Sequence, residues 1–306
     1  MSLDIVAIGE PMVELNQARG DGFAQGFGGD TSNAMVAAAR SGARAGYITR
    51  VGDDAFGRAL LAMWAAEGIE ASSVAIDPAA PTGLYFVSHG PQGHEFSYLR
   101  KGSAASLMTP EALPRAIIMS ARILHASGIS QAISPGAADA VFAAIDLARG
   151  AGRLVSYDAN LRLKLWPLAR ARAITHEAMR HCDIALPGLD DARQLTGLQA
   201  PDAIADFYLR LGAKIVALTL GAEGALIATP ERRARIASIK VAAVDATGAG
   251  DTFDGAFLAE FLACGDAFAA GRYACAAAAL STRGYGAVGP MPRRAEVKAA
   301  LARESM

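Results

Sequence analysis

The chain has 306 residues, of which 52% are hydrophobic and 19% are charged, so it can bury the core of one large domain, with or without a small appendage. Its 29 Lys and Arg residues balance its 30 Asp and Glu residues, which excludes the basic surface that nucleic acid or an anionic membrane attracts. No apolar run reaches transmembrane length without a charge or a turn residue. We therefore expect neither nucleic acid nor a membrane as a partner.

The N-terminus and the cysteines predict a cytoplasmic location. The first ten residues, MSLDIVAIGE, lack the basic region and apolar stretch of a signal peptide. Three widely separated cysteines, Cys182, Cys264 and Cys275, are expected to be buried, reduced thiols. Neither they nor the five histidines have the spacing of a zinc site, so we expect no protein-bound transition metal.

Apolar runs of strand length alternate with helical stretches along most of the chain. The first strand is DIVAIGE, and the first helix is TSNAMVAAARSG, which should end at Gly42. The second predicted strand is AGYITRVG. The later predicted strands, each with a plausible helix after it, are ARILHASG, RLVSYDAN, DIALPG and KIVALTLG. Continuous apolar strands are typical of a parallel sheet covered on both faces. The order predicts an α/β, doubly wound fold.

The stretch TGLYFVSHGPQGHEFSYLR, Thr82–Arg100, breaks this alternation. Two strand-like runs are joined by HGPQGHE, whose Gly and Pro residues mark a turn, so the stretch predicts a hairpin. We expect residues of about 10–28 and 82–102 to form a small β lid on a single domain spanning residues 1–306. Ligands of open α/β sheets bind beyond the carboxyl ends of the strands, and a lid there would exclude water.

The stretch VDATGAGDTFDGAF, Val244–Phe257, places a glycine-rich turn at the start of an apolar helix. A strand or strand end, KVAAVDA, is expected to lead into it. Free amides of Gly248, Ala249 and Gly250 at the helix N-terminus would form an anion site, helped by the helix dipole.

Asp251 directly follows this turn, although a carboxylate repels a bound phosphate. The placement suits phosphoryl transfer, because Asp251 could accept the proton of an attacking hydroxyl while the amides hold the transferring group. Two other interpretations remain at this point. Asp251 could be an ordinary acid at a helix start, or the turn could bind a dinucleotide, although that fingerprint normally follows the first strand of its unit.

Two stretches resemble the signatures of the ribokinase-like (PfkB) carbohydrate kinases. DATGAGDTFDGAF is similar to the C-terminal signature, and GFGGDTSNAMVAAARSGARAGYITRVGDDAFG, Gly26–Gly57, is similar to the N-terminal one. The resemblance runs from about Ile5 to the C-terminus. It implies a ribokinase-like fold with a mostly parallel sheet, helices on both faces and a small β-sheet lid. It also implies ATP, Mg²⁺ and phosphorylation of a hydroxymethyl group.

The resemblance assigns sugar-binding roles within GGDTSN. Gly29 and Asn33 would bind hydroxyl groups of the sugar. The alternative is a capped helix start, with Asp30 or Thr31 as the cap.

The resemblance also implies nucleotide and metal contacts after later strands. In SYDANLRLKLW, Asn160 would help to hold Mg²⁺–ATP, and Arg162 would reach between nucleotide and sugar, since its paired N–H donors suit phosphate and carboxylate. Many members order Mg²⁺ through an Asn-x-x-Glu motif, but PGLDD has Gly188 and Asp191 in the matching places. Asp191 is therefore the expected second-shell acid for the metal.

A second glycine-containing turn, TLGAEG, is implied to lie near the nucleotide. Its Thr219, Gly221 and Gly224 would contact the cofactor together with Gly248 and Gly250. Such turns are common in α/β proteins, so this stretch alone carries little weight.

The hairpin carries the information about the substrate. Phe96, Tyr98 and Arg100 share one strand face, because alternate residues point the same way, and Tyr85 lies on the other strand. A neutral sugar gives no reason for the charge of Arg100, whereas a sugar acid does. Alternatively the tyrosines pack within the lid or at a lid–lid contact and Arg100 is solvated.

Five further stretches resemble the 2-keto-3-deoxygluconate kinase branch: GEPMVELNQ, TGLYFVSHG, FSYLRKGSAAS, LHASGIS and YDANLRLKLWP. This implies transfer from ATP to the 6-hydroxyl of 2-dehydro-3-deoxy-D-gluconate. The implied sugar contacts are Gly29, Asn33, Tyr85, Tyr98, Arg100, Arg162 and Asp251. The alternatives are a kinase of another sugar or nucleoside, a non-catalytic sensor and a dehydrogenase. A homo-oligomer formed through the lid is expected, and gluconate and galactonate derivatives are not distinguished.

Overall fold

The computed structural model describes residues 2–17, 22–90 and 93–304. Its strands are β1 (Ile5–Ile8), β2 (Met12–Gln17), β3 (Phe23–Gly28), β4 (Ala45–Ile48), β5 (Arg50–Gly52), β6 (Ala75–Asp77), β7 (Leu84–Gly90), β8 (Gly93–Leu99), β9 (Ile123–Ser127), β10 (Leu154–Asp158), β11 (Ile184–Ala185), β12 (Ile215–Thr219), β13 (Ala225–Ala228) and β14 (Arg233–Ile236). Its helices are α1 (Asp30–Arg40), α2 (Ala55–Ala66), α3 (Arg115–Ser120), α4 (Gly128–Ala132), α5 (Pro135–Gly150), α6 (Leu168–Arg180), α7 (Leu189–Thr196), α8 (Pro201–Leu211), α9 (Ala249–Cys264), α10 (Ala267–Ser281) and α11 (Arg294–Glu304).

The large sheet has eight strands in the order β14-β13-β12-β11-β10-β9-β1-β4, of which the six from β12 to β4 are parallel. Helices cover both faces. In β1, Ile5 and Ala7 pack into the core under α1, α9 and α10, whereas Val6 and Ile8 pack into the core under α5, α6 and α8. Burial on both faces explains the continuous apolar strands. The predicted doubly wound, mostly parallel fold is confirmed.

The small sheet has four strands in the order β3-β2-β7-β8 and is separate from the large one. The predicted hairpin is confirmed by the antiparallel pairing of β7 with β8. Strands β2 and β3 join it, with β2 parallel to β7. Residues 91–92 of the predicted turn, and residues 18–21 between β2 and β3, lie outside the described residues.

Two sequence predictions around the large sheet are wrong. AGYITRVG forms two strands, because Thr49 turns away to donate its hydroxyl to the carbonyl of Gly9 at 2.7 Å, and β5 then pairs with β6. KIVALTLG is followed not by a long helix but by β13 and β14, which extend the sheet in antiparallel fashion.

The segment KVAAVDA, residues 240–246, which is wholly described, forms no strand. The amides of Val244 and Asp245 instead donate to the carbonyl of Thr282 after α10. The expectation of buried thiols is also wrong for Cys264, which is exposed. Among the described helices, none combines the length and apolarity of a membrane span.

Some helices begin with a side-chain cap and others begin without one. Asp54, Ser134 and Asp266 accept hydrogen bonds from first-turn amides and cap α2, α5 and α10. In contrast, α1 and α9 begin after Gly29 and Gly248, without a side-chain cap. The suggestion that Asp30 or Thr31 caps α1 is therefore wrong, and both helix starts keep amides for another use.

Candidate active site

A cleft of about 1060 Å³ lies between the carboxyl edge of the large sheet and the small sheet. The ends of β1, β10 and β12 contribute Glu10, Asp158 and Thr219, and the small sheet contributes Tyr85 and Tyr98. Parallel strands all end at this edge, so side chains from distant parts of the sequence meet here.

Most of the predicted site residues line this cleft: Gly29, Asn33, Tyr85, Tyr98, Arg100, Asn160, Arg162, Asp191, Thr219, Gly248, Gly250 and Asp251. Ala249, Gly221 and Gly224 are not among the lining residues. A Cβ atom on Gly224 would collide with the carbonyl of Ile236, so this glycine allows the chain to turn into β13. Lys164 also lines the cleft, as an exposed side chain.

Asp251 lies in the first turn of α9, at the floor of the cleft. Its Oδ2 accepts a hydrogen bond from Nδ2 of Asn33 at 2.7 Å. Burial and the nearby charge of Asp30 raise the pKa of Asp251 to about 7, against the opposing effects of Asn33 and Arg162. A carboxyl group that titrates near neutral pH is well suited to accept a proton from a hydroxyl group.

The predicted anion site lies beside Asp251. Gly248 has a left-handed conformation, with φ 75°, and a Cβ atom there would lie 2.9 Å from that of Ala287, so only glycine fits without strain. A Cβ atom on Gly250 would have no neighbour within 4 Å, because it would project into the cleft. The amide of Ala249 donates to the carbonyl of Ala246 at 3.1 Å and is not free as predicted. Gly248 and Gly250 keep amides without a protein acceptor among the described residues.

The carboxylate of Asp245 holds this turn in place. Its Oδ1 accepts hydrogen bonds from the amide and hydroxyl of Thr247 at 2.9 and 2.7 Å. Its Oδ2 accepts one from the amide of Gly286 at 2.9 Å, which places the loop containing Ala287 against Gly248.

Sequence reasoning missed two acidic residues behind Asp251. Asp254 follows it by one helical turn, and its carboxyl group interacts electrostatically with that of Asp158 at the end of β10. Burial and the charges of neighbouring acids, Asp30 among them, raise the pKa values of both groups strongly. The available signals were the strand-end position of Asp158 and the i, i+3 spacing of Asp251 and Asp254 on α9.

Asn160 combines an unusual backbone with two contacts. Its φ of 27° is rare for a residue other than glycine. Its amide donates to Oδ1 of Asp158 at 3.0 Å, and its Nδ2 donates to Oδ2 of Asp30 at 3.1 Å. The other oxygen of Asp30 is buried without a partner among the described residues. A strained residue that orients buried acids is typical of a functional site.

Asp191 is fixed next to the same loop. Its Oδ2 accepts the amide of Leu161 at 2.9 Å and lies 4.0 Å from Nη1 of Arg162. No group of three His, Cys, Asp or Glu side chains in the described ranges could hold a metal by itself. Mg²⁺ usually binds one or two carboxylates together with substrate phosphates, and Asp158 and Asp191 could supply these carboxylates. A cation bound here would favour the ionised forms of these acids, whose pKa values burial raises.

The small sheet presents aromatic side chains to the cleft. Tyr85 and Tyr98 are opposite each other on β7 and β8, with ring centroids 6.0 Å apart, and Phe96 stacks beside them. The hydroxyl of Tyr85 donates to Oε2 of Glu14 at 2.5 Å, so toward a ligand it can only accept. Tyr98 is 40% exposed. No hydrogen-bond acceptor among the described residues engages the Tyr98 hydroxyl, so it can either donate to a ligand or accept from one.

Arg100 follows β8 and forms an ion pair with Glu10. Glu10 also accepts a hydrogen bond from the hydroxyl of Ser103 at 2.6 Å. Burial raises the pKa of Glu10, although Arg100 opposes this effect. Arg100 is therefore not solvated. Neither Glu10 nor Glu14 was predicted as a site residue, although both lie in the stretch GEPMVELNQ.

Comparison with known proteins agrees with this geometry. The model of the pfkB family carbohydrate kinases matches residues 2–294. A 2-dehydro-3-deoxygluconokinase of Thermoproteus tenax is 36% identical, covering 96% of this chain and 93% of its own. Fructokinase-2 of Solanum habrochaites is 32% identical, covering 95% and 94%. An E. coli protein described as ribokinase II, in complex with ATP and Mg²⁺, matches with a TM-score of 0.91 and 26% identity, covering 99% and 100%. The chain belongs to the PfkB family of carbohydrate kinases, sugar kinases that use ATP with Mg²⁺.

Proposed function

We propose that this sugar kinase phosphorylates the 6-hydroxyl of 2-dehydro-3-deoxy-D-gluconate. The observation that carries the proposal is the position of Arg100, which lines the wall of the cleft formed by the small sheet, next to Tyr98. A partly buried arginine at that wall suits a sugar that bears a carboxylate. Arg162 supplies a second positive charge to the same cleft. The 36% identity with the Thermoproteus tenax 2-dehydro-3-deoxygluconokinase supports this assignment.

In the proposed mechanism Asp251 is the general base. It accepts the proton of the 6-hydroxyl, whose oxygen attacks the γ-phosphorus of ATP in line with the leaving ADP. Asn33 holds one carboxylate oxygen, which leaves the other free to accept the proton. Gly29 and Asn33, at the start of α1, lie where they can contact sugar hydroxyls.

The start of α9 stabilises the transferring group. The amides of Gly248 and Gly250 donate to its equatorial oxygens, and the dipole of the 16-residue helix adds to this effect. Asp158 and Asp191 would hold Mg²⁺, which would supply positive charge to offset the negative charge that develops during the transfer. Asn160 and Arg162, with Thr219 on the nucleotide side, orient the phosphates. Gly221 and Gly224 would affect nucleotide binding only indirectly, by allowing the turn after β12.

We further propose that the small sheet acts as a lid on a single domain. Its inner face carries Tyr85, Tyr98 and Phe96, so closure would remove water that otherwise hydrolyses ATP. The opposite face includes Phe23 and Leu99, which are 48% and 63% exposed. The predicted homo-oligomer would cover these side chains.

A neutral sugar such as fructose is the second candidate. Glu10 already compensates the charge of Arg100, so the pair as a whole is neutral and is compatible with an uncharged sugar. Several similar proteins are named fructokinases. An ADP-release assay across sugars and sugar acids, each with ATP and Mg²⁺, separates the two. We expect the highest catalytic efficiency with 2-keto-3-deoxygluconate, and a higher value with fructose or ribose would overturn the proposal.

A further inference from the structure

Glu10 occupies a site that the rest of the fold builds around its carboxylate. It lies just after β1, and its side chain is fully buried. Two side chains of one turn converge on it: Arg100 donates to Oε2, and Ser103 donates to Oε1 at 2.6 Å. The amide of Ser103 also donates to the carbonyl of Arg100 at 3.1 Å and closes the turn. Glu10 therefore holds in place the segment that follows the last strand of the small sheet.

Two glycines provide the space for this residue. A Cβ atom on Gly83 would lie 3.1 Å from Oε1 of Glu10, and one on Gly29 would collide with the carbonyl of Glu10. Larger residues at these positions would displace the carboxylate from the turn. The geometry of the Glu10–Arg100 pair is thus fixed from both sides.

Arg100 keeps unused donors after this pairing. Its Nε is buried without an acceptor in the described part of the chain, and the guanidinium carbon lies 5.8 Å from the ring centroid of Tyr98. The side chain keeps 11% of its surface exposed and lines the cleft, so guanidinium donors other than this buried Nε can meet an acceptor supplied by a ligand. Glu10 uses one edge of the guanidinium and fixes the direction of the rest.

We propose that Glu10 is a specificity-determining positioning residue that holds Arg100 in the orientation required to bind the carboxylate of a sugar acid. This inference rests on the proposed function. Glu10 does not itself bind the acid, because two carboxylates repel each other, and it acts on affinity only through Arg100. If the ion pair only stabilised the lid, its loss would weaken the binding of acidic and neutral sugars alike.

Two substitutions separate position from charge. Glu10→Gln keeps both contacts, since the amide oxygen accepts from Arg100 and the amide nitrogen donates to the hydroxyl of Ser103. Glu10→Ala removes both contacts. Positioning therefore predicts loss with alanine and recovery with glutamine.

The experiment measures kcat and KM for ATP, 2-keto-3-deoxygluconate and fructose in the wild type and the variants Glu10→Ala, Glu10→Gln, Arg100→Ala and the double alanine variant. We expect Glu10→Ala to raise KM for the acid roughly tenfold, with kcat and the KM for ATP within about twofold. The KM of Glu10→Gln for the acid should stay within about threefold of the wild-type value. The KM of the double variant for the acid should be no higher than that of Arg100→Ala.

Glu67→Ala provides the matched control. Glu67 pairs with Arg40 at 2.6 Å, with side chains 12% and 11% exposed, and neither residue lines the cleft. This variant should lose stability without a change in the KM for the acid. Additive losses in the double variant, no recovery with glutamine, or an equal loss with fructose would overturn the role of Glu10. A wild-type preference for fructose would instead overturn the proposed function and, with it, any role of Glu10 in binding an acid.

Discussion

Asn33 and Asp251 are 218 positions apart in the sequence, yet Nδ2 of Asn33 donates to Oδ2 of Asp251 at 2.7 Å. The contact joins the first turns of α1 and α9. These helices pack so closely that a Cβ atom on Gly255 would collide with the carbonyl of Ala34. The orientation of the Asp251 carboxylate is therefore set by helix packing and not by a flexible loop.

Asp251→Asn should keep the fold but lower kcat by roughly 10²–10⁴-fold, the usual effect of removing a positioned base. Asparagine has nearly the same shape, and its side-chain oxygen can still accept from Asn33. Turnover measured with purified protein, after its circular dichroism has been matched to the wild type, checks this expectation. Near-normal turnover would reduce Asp251 to an ordinary acid at a helix start.

The same substitution should make the protein more stable at high pH. Because the pKa of Asp251 is raised to about 7 in the folded state, its contribution to stability is complete below the unfolded pKa near 4 and is lost as pH rises through 7. Asp251→Asn avoids this loss, so at pH 8 we expect its free energy of unfolding to exceed that of the wild type by about 1–3 kcal/mol. Urea denaturation at pH 4 and pH 8 tests the sign, and no difference at pH 8 would contradict it.

Catalysis should depend on pH in the opposite direction. Only ionised Asp251 can accept a proton, so kcat/KM for the sugar should rise as pH increases through about 7. A profile that is flat from pH 5 to 8 would be inconsistent with Asp251 as the base.

Gly250→Val should abolish phosphoryl transfer with little loss of stability. The new side chain would enter open space in the cleft, where the γ-phosphate is expected. Apart from its chain neighbours and the backbone of its own helix, no described protein atom would lie within 4 Å of its Cβ. ADP should still bind within about threefold, as measured by calorimetry, since its phosphates end short of that position. Gly255→Val is the contrasting variant, because it collides with α1 and should destabilise the fold. Retained turnover in Gly250→Val would show that the phosphate binds elsewhere.

Arg100→Ala should separate acidic from neutral substrates. A charge-assisted hydrogen bond in a closed cleft is worth about 1.5–3 kcal/mol, so the KM for 2-keto-3-deoxygluconate should rise by roughly tenfold to 150-fold. The KM for any neutral sugar that is accepted should change far less. Arg40→Ala, which breaks an ion pair away from the cleft, is the control. Equal losses for acid and neutral sugar would mean that Arg100 only stabilises the small sheet.

The sequence predicts the parallel core of the fold well, because burial on both faces leaves a direct signature in runs such as IVAI of β1. The sequence-based prediction fails where contacts between distant parts of the chain determine the local structure. Thr49 interrupts a predicted strand because its hydroxyl has a partner on Gly9, and residues 240–246 are held by Thr282, which lies far along the chain. Local periodicity contains no information about such partners.

The candidate site likewise contains residues that the sequence predicts and residues that only the fold brings together. Glycine-rich turns identify Gly248, Gly250 and Asp251, because their chemistry is local. Glu10 and Asp158 were missed because an acid after a strand looks ordinary until the fold places Arg100 or Asp254 against it.

The close contact of Gly255 with α1 has a consequence for how such an enzyme can diversify. Asp251 and Asn33 belong to two closely packed helices, whereas Tyr85 and Tyr98 belong to a separate sheet, which Arg100 directly follows. Exchanges in that sheet can change which sugar is accepted without disturbing the geometry of phosphoryl transfer. Engineering of new sugar preferences should therefore start with saturation of the small sheet, with α1 and α9 left untouched.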